Sequence, residues 1–394
     1  MRPLAFFAVA FLASAAALRA QQTCASYPIV INTPEDKLML AVNGASNPQQ
    51  EAAALEQFAQ AHPNSKYMPC VDEYLTRAYV KLNQYDKAIA AGQKAVAAKY
   101  LDVIFLEKLL QAYIASGQAN AQAFDVLTLG PAEIARENQP ARTAGTSGAA
   151  WQQIQKQATA TAQNETDYMQ YAFFQLLSRV SDPKQRVTAL DQFTQSYPSE
   201  AQKNAALLDN QYAVAYTMLG QTEKADEYAE KTLAADPNNV DALNLLAFDY
   251  AIQRRTHFAE ASADANKVVQ MVPTMTKPAG ATEAQLQAEQ NNLLGVAHLV
   301  LGYVDLVRAS NGKRYATRAE MAPAIRELES ANEHLAANPR LEGGALYYLG
   351  DAYEEEYPAD HRAALDALTK AAPLESPWQA PARQLLAKVR RVAH

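Results

Sequence analysis

Two consecutive blocks of 34 residues, 206–239 and 240–273, carry similar side chains at matching places. A period of that length restricts a chain to stacked copies of one small structural unit, each leaning on its neighbours for a core. In the second block Leu243, Leu246, Ala247 and Tyr250 stand at places four, seven, eight and eleven. The first block holds Asp209, Tyr212, Ala213 and Tyr216 there, so Asp209 departs from the pattern. Ala225 and Ala259 share place twenty, Ala229 and Ala263 place twenty-four, and Pro237 closes the first block. Large residues spaced at helical intervals, with small ones where two backbones must approach, describe a pair of packed antiparallel helices.

The same phase recurs elsewhere. Blocks 69–102 and 103–136 put Leu75 and Tyr79, then Leu109 and Tyr113, at places seven and eleven, with Ala88, Gly92 and Ala95 in the second helix of the first block. Leu294-Gly295 and Leu349-Gly350 repeat the seven–eight pair, in repeats enlarged by insertions, with Gly312 expected in a loop. A longer symmetry links residues 54–63 to residues 189–198: six of ten positions are identical, and each copy ends in a proline that stops a helix. Gln139 to Gly148 has turn composition, and 274–282 is a second excursion. Trp378 and the helix ending in Lys388, Arg390 and Arg391 suit a terminal cap over the last apolar face.

These places resemble the tetratricopeptide repeat, and the phrase shared by 54–63 and 189–198 is similar to helical-repeat proteins of the bacterial periplasm. The resemblance implies an all-α fold, an α-α superhelical solenoid of helix pairs. The expected organisation is a signal peptide at 1–20, an N-terminal segment at 21–47, repeats at 48–136, a linker at 137–150, and repeats with a capping helix at 151–394. It also implies a concave groove lined by the first helices at places two, five, nine, twelve and thirteen. On this chain that projects Asn210, Val214, Met218, Asn244, Phe248, Ile252, Asn292 and Val296 into the groove. Asparagine amides can pair with the backbone of an extended peptide, and the apolar strip beside them suits a peptide or a helix.

The leader has a positive start at Arg2, an apolar run to Leu18 and a small residue at Ala20, the layout of an exported chain. The apolar run is short for a bilayer span, which takes about 20 residues. No later stretch is expected to cross a membrane. Cys24 and Cys70 could pair in an oxidising compartment, or could be two unrelated thiols. The location expected is periplasmic or secreted.

With 35 basic and 42 acidic residues the formal charge is -7, unlike a nucleic-acid binder, which needs basic surface. The six histidines stand in no metal-binding spacing, and no phosphate loop or nucleophile elbow occurs. No cofactor, metal or catalytic residue is therefore expected. The reading is a scaffold or adaptor for a protein or peptide partner. A cell-wall or glycan binder is the alternative, with 20 tyrosines to offer, and an enzyme with a helical cleft ranks last.

Overall fold

The computed structural model describes residues 23–24, 27–277, 281–311 and 315–392. The leader at 1–20, Pro278, Gly280, Gly312 and His394 lie outside the described residues. Among the described residues the chain is all-α, with eighteen helices and one pair of two-residue strands. It divides into two compact units between Glu200 and Ala201.

The first unit carries α1 (Pro34–Asn43), α2 (Pro48–Ala61), α3 (Met68–Lys81), α4 (Tyr85–Ala98), α5 (Val103–Ser116), α6 (Ala121–Glu137), α7 (Gly148–Leu177) and α8 (Pro183–Ser196). Their boundaries follow local chemistry. Thr33, Asn47, Asp102, Asn120, Ser147 and Asp182 each accept a backbone N–H of the first turn of the helix they precede. Gly117 ends α5 at φ 75°, a conformation that favours glycine. Connections of a few residues force successive helices to run antiparallel, and each helix packs on the next.

The short α9 (Pro198–Lys203) bridges the division. The second unit holds α10 (Ala205–Met218), α11 (Thr222–Ala235), α12 (Val240–Phe248), α13 (Phe258–Met271), α14 (Glu283–Ser310), α15 (Arg318–Leu335), α16 (Pro339–Glu355), α17 (His361–Ala371) and α18 (Gln379–Val392). A π-helical turn, Asp249–Gln253, prolongs α12. Strands β1 (Ala316–Thr317) and β2 (Glu356–Tyr357) pair in parallel. First helices α10, α12, α14 and α16 lie side by side, and second helices pack behind them. The last helix, α18, packs on α17 and α16.

Small residues set the distance between helices. An ideal Cβ on Gly295 would stand 2.5 Å from Leu335 Cγ, on Gly302 2.6 Å from Leu328 Cγ, and on Gly350 2.5 Å from Leu368 Cγ. Those leucines are buried, so each glycine of a first helix receives a leucine of the second. In the first unit the contact runs between pairs: Gly92 of the second helix α4 receives Leu109 of α5, the first helix of the next pair. Leu75, Tyr79, Leu109 and Tyr113 are buried, and Leu55 and Phe58 match Leu190 and Phe193 as the buried faces of α2 and α8.

Four expectations change. The second helix of block 240–273 begins two places late, so Ala261 and Ala265 are buried while Ala259 and Ala263 face solvent. The π-helical turn and the left-handed residues Arg255 and His257 take up the difference. Residues 139–147 form the expected loop, but they lie inside the first unit and not at its edge. The reason is that α7 packs back on α5 and α6: Tyr168 donates its hydroxyl to the Glu107 carbonyl at 3.0 Å, and Asn138 donates to Glu165 at 2.7 Å. The insertions of the later repeats are absorbed largely by lengthening α14 and α15, of 28 and 18 residues. Finally, α14 is long and apolar enough to cross a bilayer by composition, contrary to expectation. A core helix clothed in protein on most sides has that same composition, and Leu299, Val300 and Val304 are fully buried.

Replacing Gly350 by Ala drives a methyl against Cγ of the fully buried Leu368. The clash outweighs the roughly 1 kcal/mol helix-propensity gain of alanine. A net loss of about 1–2 kcal/mol is expected in urea unfolding. Gly148→Ala, where nothing lies within 4 Å, is expected to be neutral or stabilising.

Candidate functional site

The first helices of the second unit carry the face on which the sequence placed a groove. Place five is the most informative position. Asn210 is buried, and its Nδ2 donates to Asp241 Oδ2 on α12 at 3.3 Å. Asn244 is buried, and its Nδ2 donates to the Leu293 carbonyl on α14 at 2.9 Å. Asn292 is exposed, and its Oδ1 accepts from Asn338 Nδ2 at 2.9 Å, where Asn338 caps α16. Each amide therefore ties one first helix to the next. This corrects the expectation of a ladder of open amides: the first turn of α12, the interior of α14 at Leu293 and the cap of α16 each lie beside place five of the preceding first helix.

The first unit solves the same contact with charge. Its place five in block 69–102 is Glu73, which is buried and takes an ion pair from Arg77. The Arg77 guanidinium also reaches Asp102, the cap of α5, at 2.6 Å. Burial pushes the Glu73 carboxyl up to about 7, with Arg77 opposing the rise.

Other projected groove residues separate into two groups. Ile252 is buried in the π-helical turn, so it is not available to a guest. Val214, Phe248 and Val296 are half-buried, and Phe248 leans on the core. Met218 is 57% exposed. Sequence reasoning passed over Leu207 at place two, which is 45% exposed. Leu207, Val214 and Met218 lie one to two turns apart on one side of α10, forming an apolar stripe open to solvent. The opposite side of α10 is occupied: Ala213 packs against Ala229, Ala242 and Leu246, and Tyr212 stacks on Tyr228 at 4.6 Å.

Behind this face, sequence reasoning missed a buried acid pair. Asp226 on α11 and Asp249 at the start of the π-helical turn are 5% and 2% exposed, and a single guanidinium, Arg254, pairs with both. The Arg254 Nε lies 2.5 Å from Asp249 Oδ2. Asp226 Oδ1 and Asp249 Oδ1 find no donor among the described residues. Two acids held by one base hold a proton readily. Burial pushes the Asp226 carboxyl up to about 7, the neighbouring Asp249 adds to the rise, and Arg254 opposes it. The only signal in the sequence is that Asp249 and Arg254 stand five residues apart, a separation that meets on a π-helical turn and not on an α-helix.

In the first unit Cys24 and Cys70 form a disulfide, with Cα atoms 5.3 Å apart. It fixes the segment before α1 to the start of α3, where Tyr27 packs edge-on against Tyr67. Among the described residues no group of three or more His, Cys, Asp and Glu side chains is arranged to hold a metal ion.

No protein-family model and no curated protein matches the chain. Solved structures with some likeness include the TPR domain of P58(IPK), 12% identical, covering 91% of this chain and 98% of that one at a TM-score of 0.27. The Cut9–Hcn1 hetero-tetramer of the APC/C is 12% identical, covering 92% and 90% at 0.29. Yeast Tom70 is 12% identical, covering 91% and 95% at 0.27. Superpositions this loose leave the helix-pair description to rest on the packing within each unit.

The acid pair gives a pH signature. Unfolded, Asp226 has its ordinary value of 3.8; folded, it holds its proton to about 7. The folded state therefore binds the extra proton, and stability falls as pH rises across that window. Between about pH 5 and pH 8 the thermal midpoint, followed by circular dichroism, is expected to fall less in Asp226→Asn than in the parent chain.

Proposed function

We propose that this protein is an exported scaffold that holds a protein or peptide partner against the first-helix face of its second unit and performs no catalysis. The observation that carries the reading is the stripe Leu207, Val214 and Met218 on α10. Its large apolar side chains remain in water beside a well-packed core, and such surface is characteristic of a contact site. The half-buried Phe248 and Val296 on the neighbouring first helices suit the same role.

Export is supported by the composition of residues 1–20 and by the Cys24–Cys70 disulfide, a bond that persists in oxidising compartments. The polar groups of the second unit support binding over catalysis. The amides at place five and the acid pair with Arg254 are engaged in ties between helices, so these groups are committed to holding the fold. Glycan binding in the proposed groove has less support, because Tyr212, Tyr303 and Tyr348 on the first helices are buried, while the exposed Tyr171, Tyr315 and Tyr357 lie off the α10 stripe.

The test is a comparison of the immobilised mature chain with its Leu207→Glu/Met218→Glu variant against envelope proteins. Both replaced side chains are exposed, so unchanged helicity and an intact disulfide are expected. A bound protein should be retained at least about tenfold less by the variant, as for loss of central contact residues. Equal retention, or retention of polysaccharide alone, contradicts the reading.

A further inference from the structure

The buried acids Asp226 and Asp249 meet where α11 packs on the π-helical turn, and the Arg254 guanidinium pairs with both. With both carboxylates ionised, the cluster keeps one uncompensated negative charge away from water, a costly arrangement. Asp226 Oδ1 and Asp249 Oδ1 also find no donor among the described residues. One proton removes both defects. It neutralises the surplus charge, and the carboxyl that holds it becomes the missing donor. The surrounding groups are engaged elsewhere or add negative charge. On α11, Glu223 lies toward Arg254, and Glu230 accepts the Tyr250 hydroxyl at 3.1 Å. His257 packs on the Tyr250 ring at 5.1 Å and stands 3.9 Å from Glu260 of α13. Arg255 faces Tyr303 of α14 and Tyr348 of α16.

The segment held by this pair is strained. Its closing bonds run from the Arg254 N–H to the Asp249 carbonyl and from the Thr256 N–H to the Tyr250 carbonyl, each 2.9 Å. Arg255 and His257 take left-handed φ values of 54° and 50°, which are costly for residues with a Cβ. Arg254 and the two acids tie this stretch to α11, so a weakened tie opens the turn before the packed core. Beneath the turn Ala251 and Ile252 are buried, next to the half-buried Phe248 of α12.

We propose that the turn Asp249–Gln253 is an acid-latched gate: it stays shut over Ile252 while Asp226 and Asp249 share a proton, and it opens when that proton leaves. The sign follows from where the proton is held. Burial, with Asp249 adding to it, raises the Asp226 carboxyl from the ordinary 3.8 to about 7. The shut turn therefore binds a proton that the open, solvated turn does not. Opening releases that proton and is favoured as pH rises between those two values. Neutral surroundings thus uncover apolar surface that acid hides. The gate does not rest on the α10 stripe.

The experiment follows hydrogen exchange of single backbone amides by NMR in the full mature chain, from about pH 5 to about pH 8, corrected for the intrinsic pH dependence of exchange. Protection of amides 252–256 is expected to fall about tenfold per pH unit up to about pH 7 and then to level off. At neutral pH these amides should be at least about tenfold less protected than amides 299–304 of α14, because the turn opens without the core. Asp226→Asn sets a permanent neutral donor beside Asp249, so the slope should vanish. Asp249→Asn supplies the donor from the other side and gives the same reading should the first variant fail to fold. A flat profile in the parent chain, an unchanged slope in the asparagine variants, or protection equal to that of α14 would overturn the gate.

Discussion

Everything in the second unit depends on how closely the two helices of a pair approach. Gly295, Gly302 and Gly350 admit Leu335, Leu328 and Leu368 to positions that a methyl group would fill. Where the first helix has alanine instead, as at Ala213 and Ala247, the residue is fully buried against the neighbouring helices. Close approach brings the large residues on either side into contact, and a continuous core follows from Leu243 to Val389. No single helix here could bury its apolar face alone, which is why α14 can be composed like a membrane span and still belong to a packed unit.

Small residues set spacing within a pair, but they do not fix how one pair is placed on the next. That task falls to polar side chains at place five. Amides serve in Asn210, Asn244 and Asn292, and an ion pair serves in Glu73 with Arg77 and Asp102. Directional bonds suit this role, because a slid register would leave a buried donor or acceptor unpaired. The acid pair Asp226 and Asp249 extends the device to the π-helical turn, where Arg254 holds the two carboxylates together.

Much of the fold was legible in the sequence because packing contacts recur with the period of the chain. Places seven, eight and eleven marked Leu75, Tyr79, Leu109 and Tyr113, all buried, and the shared phrase marked the apolar faces of α2 and α8. Of the two alternatives open for Cys24 and Cys70, the structure has the bonded one. Three things were not legible. A π-helical turn inserts residues without changing composition, so Ala259 and Ala263 were placed where Ala261 and Ala265 belong. The sequence shows that Asn244 is polar, not that Leu293 stands beside it. A loop at 139–147 looks like a boundary until α7 is seen to fold back on its own unit.

The candidate face was legible in part: Met218 and Val214 were named and remain accessible, whereas Ile252 and two of the three asparagines serve the interior. What separates the groups is exposure of particular side chains in the folded chain, and methionine oxidation reports it directly. Brief hydroxyl-radical labelling of the isolated protein, read by mass spectrometry, should oxidise Met218 rapidly while the fully buried Met169 and Met321 stay intact. Met218 as well protected as Met321 would contradict a free apolar face on α10.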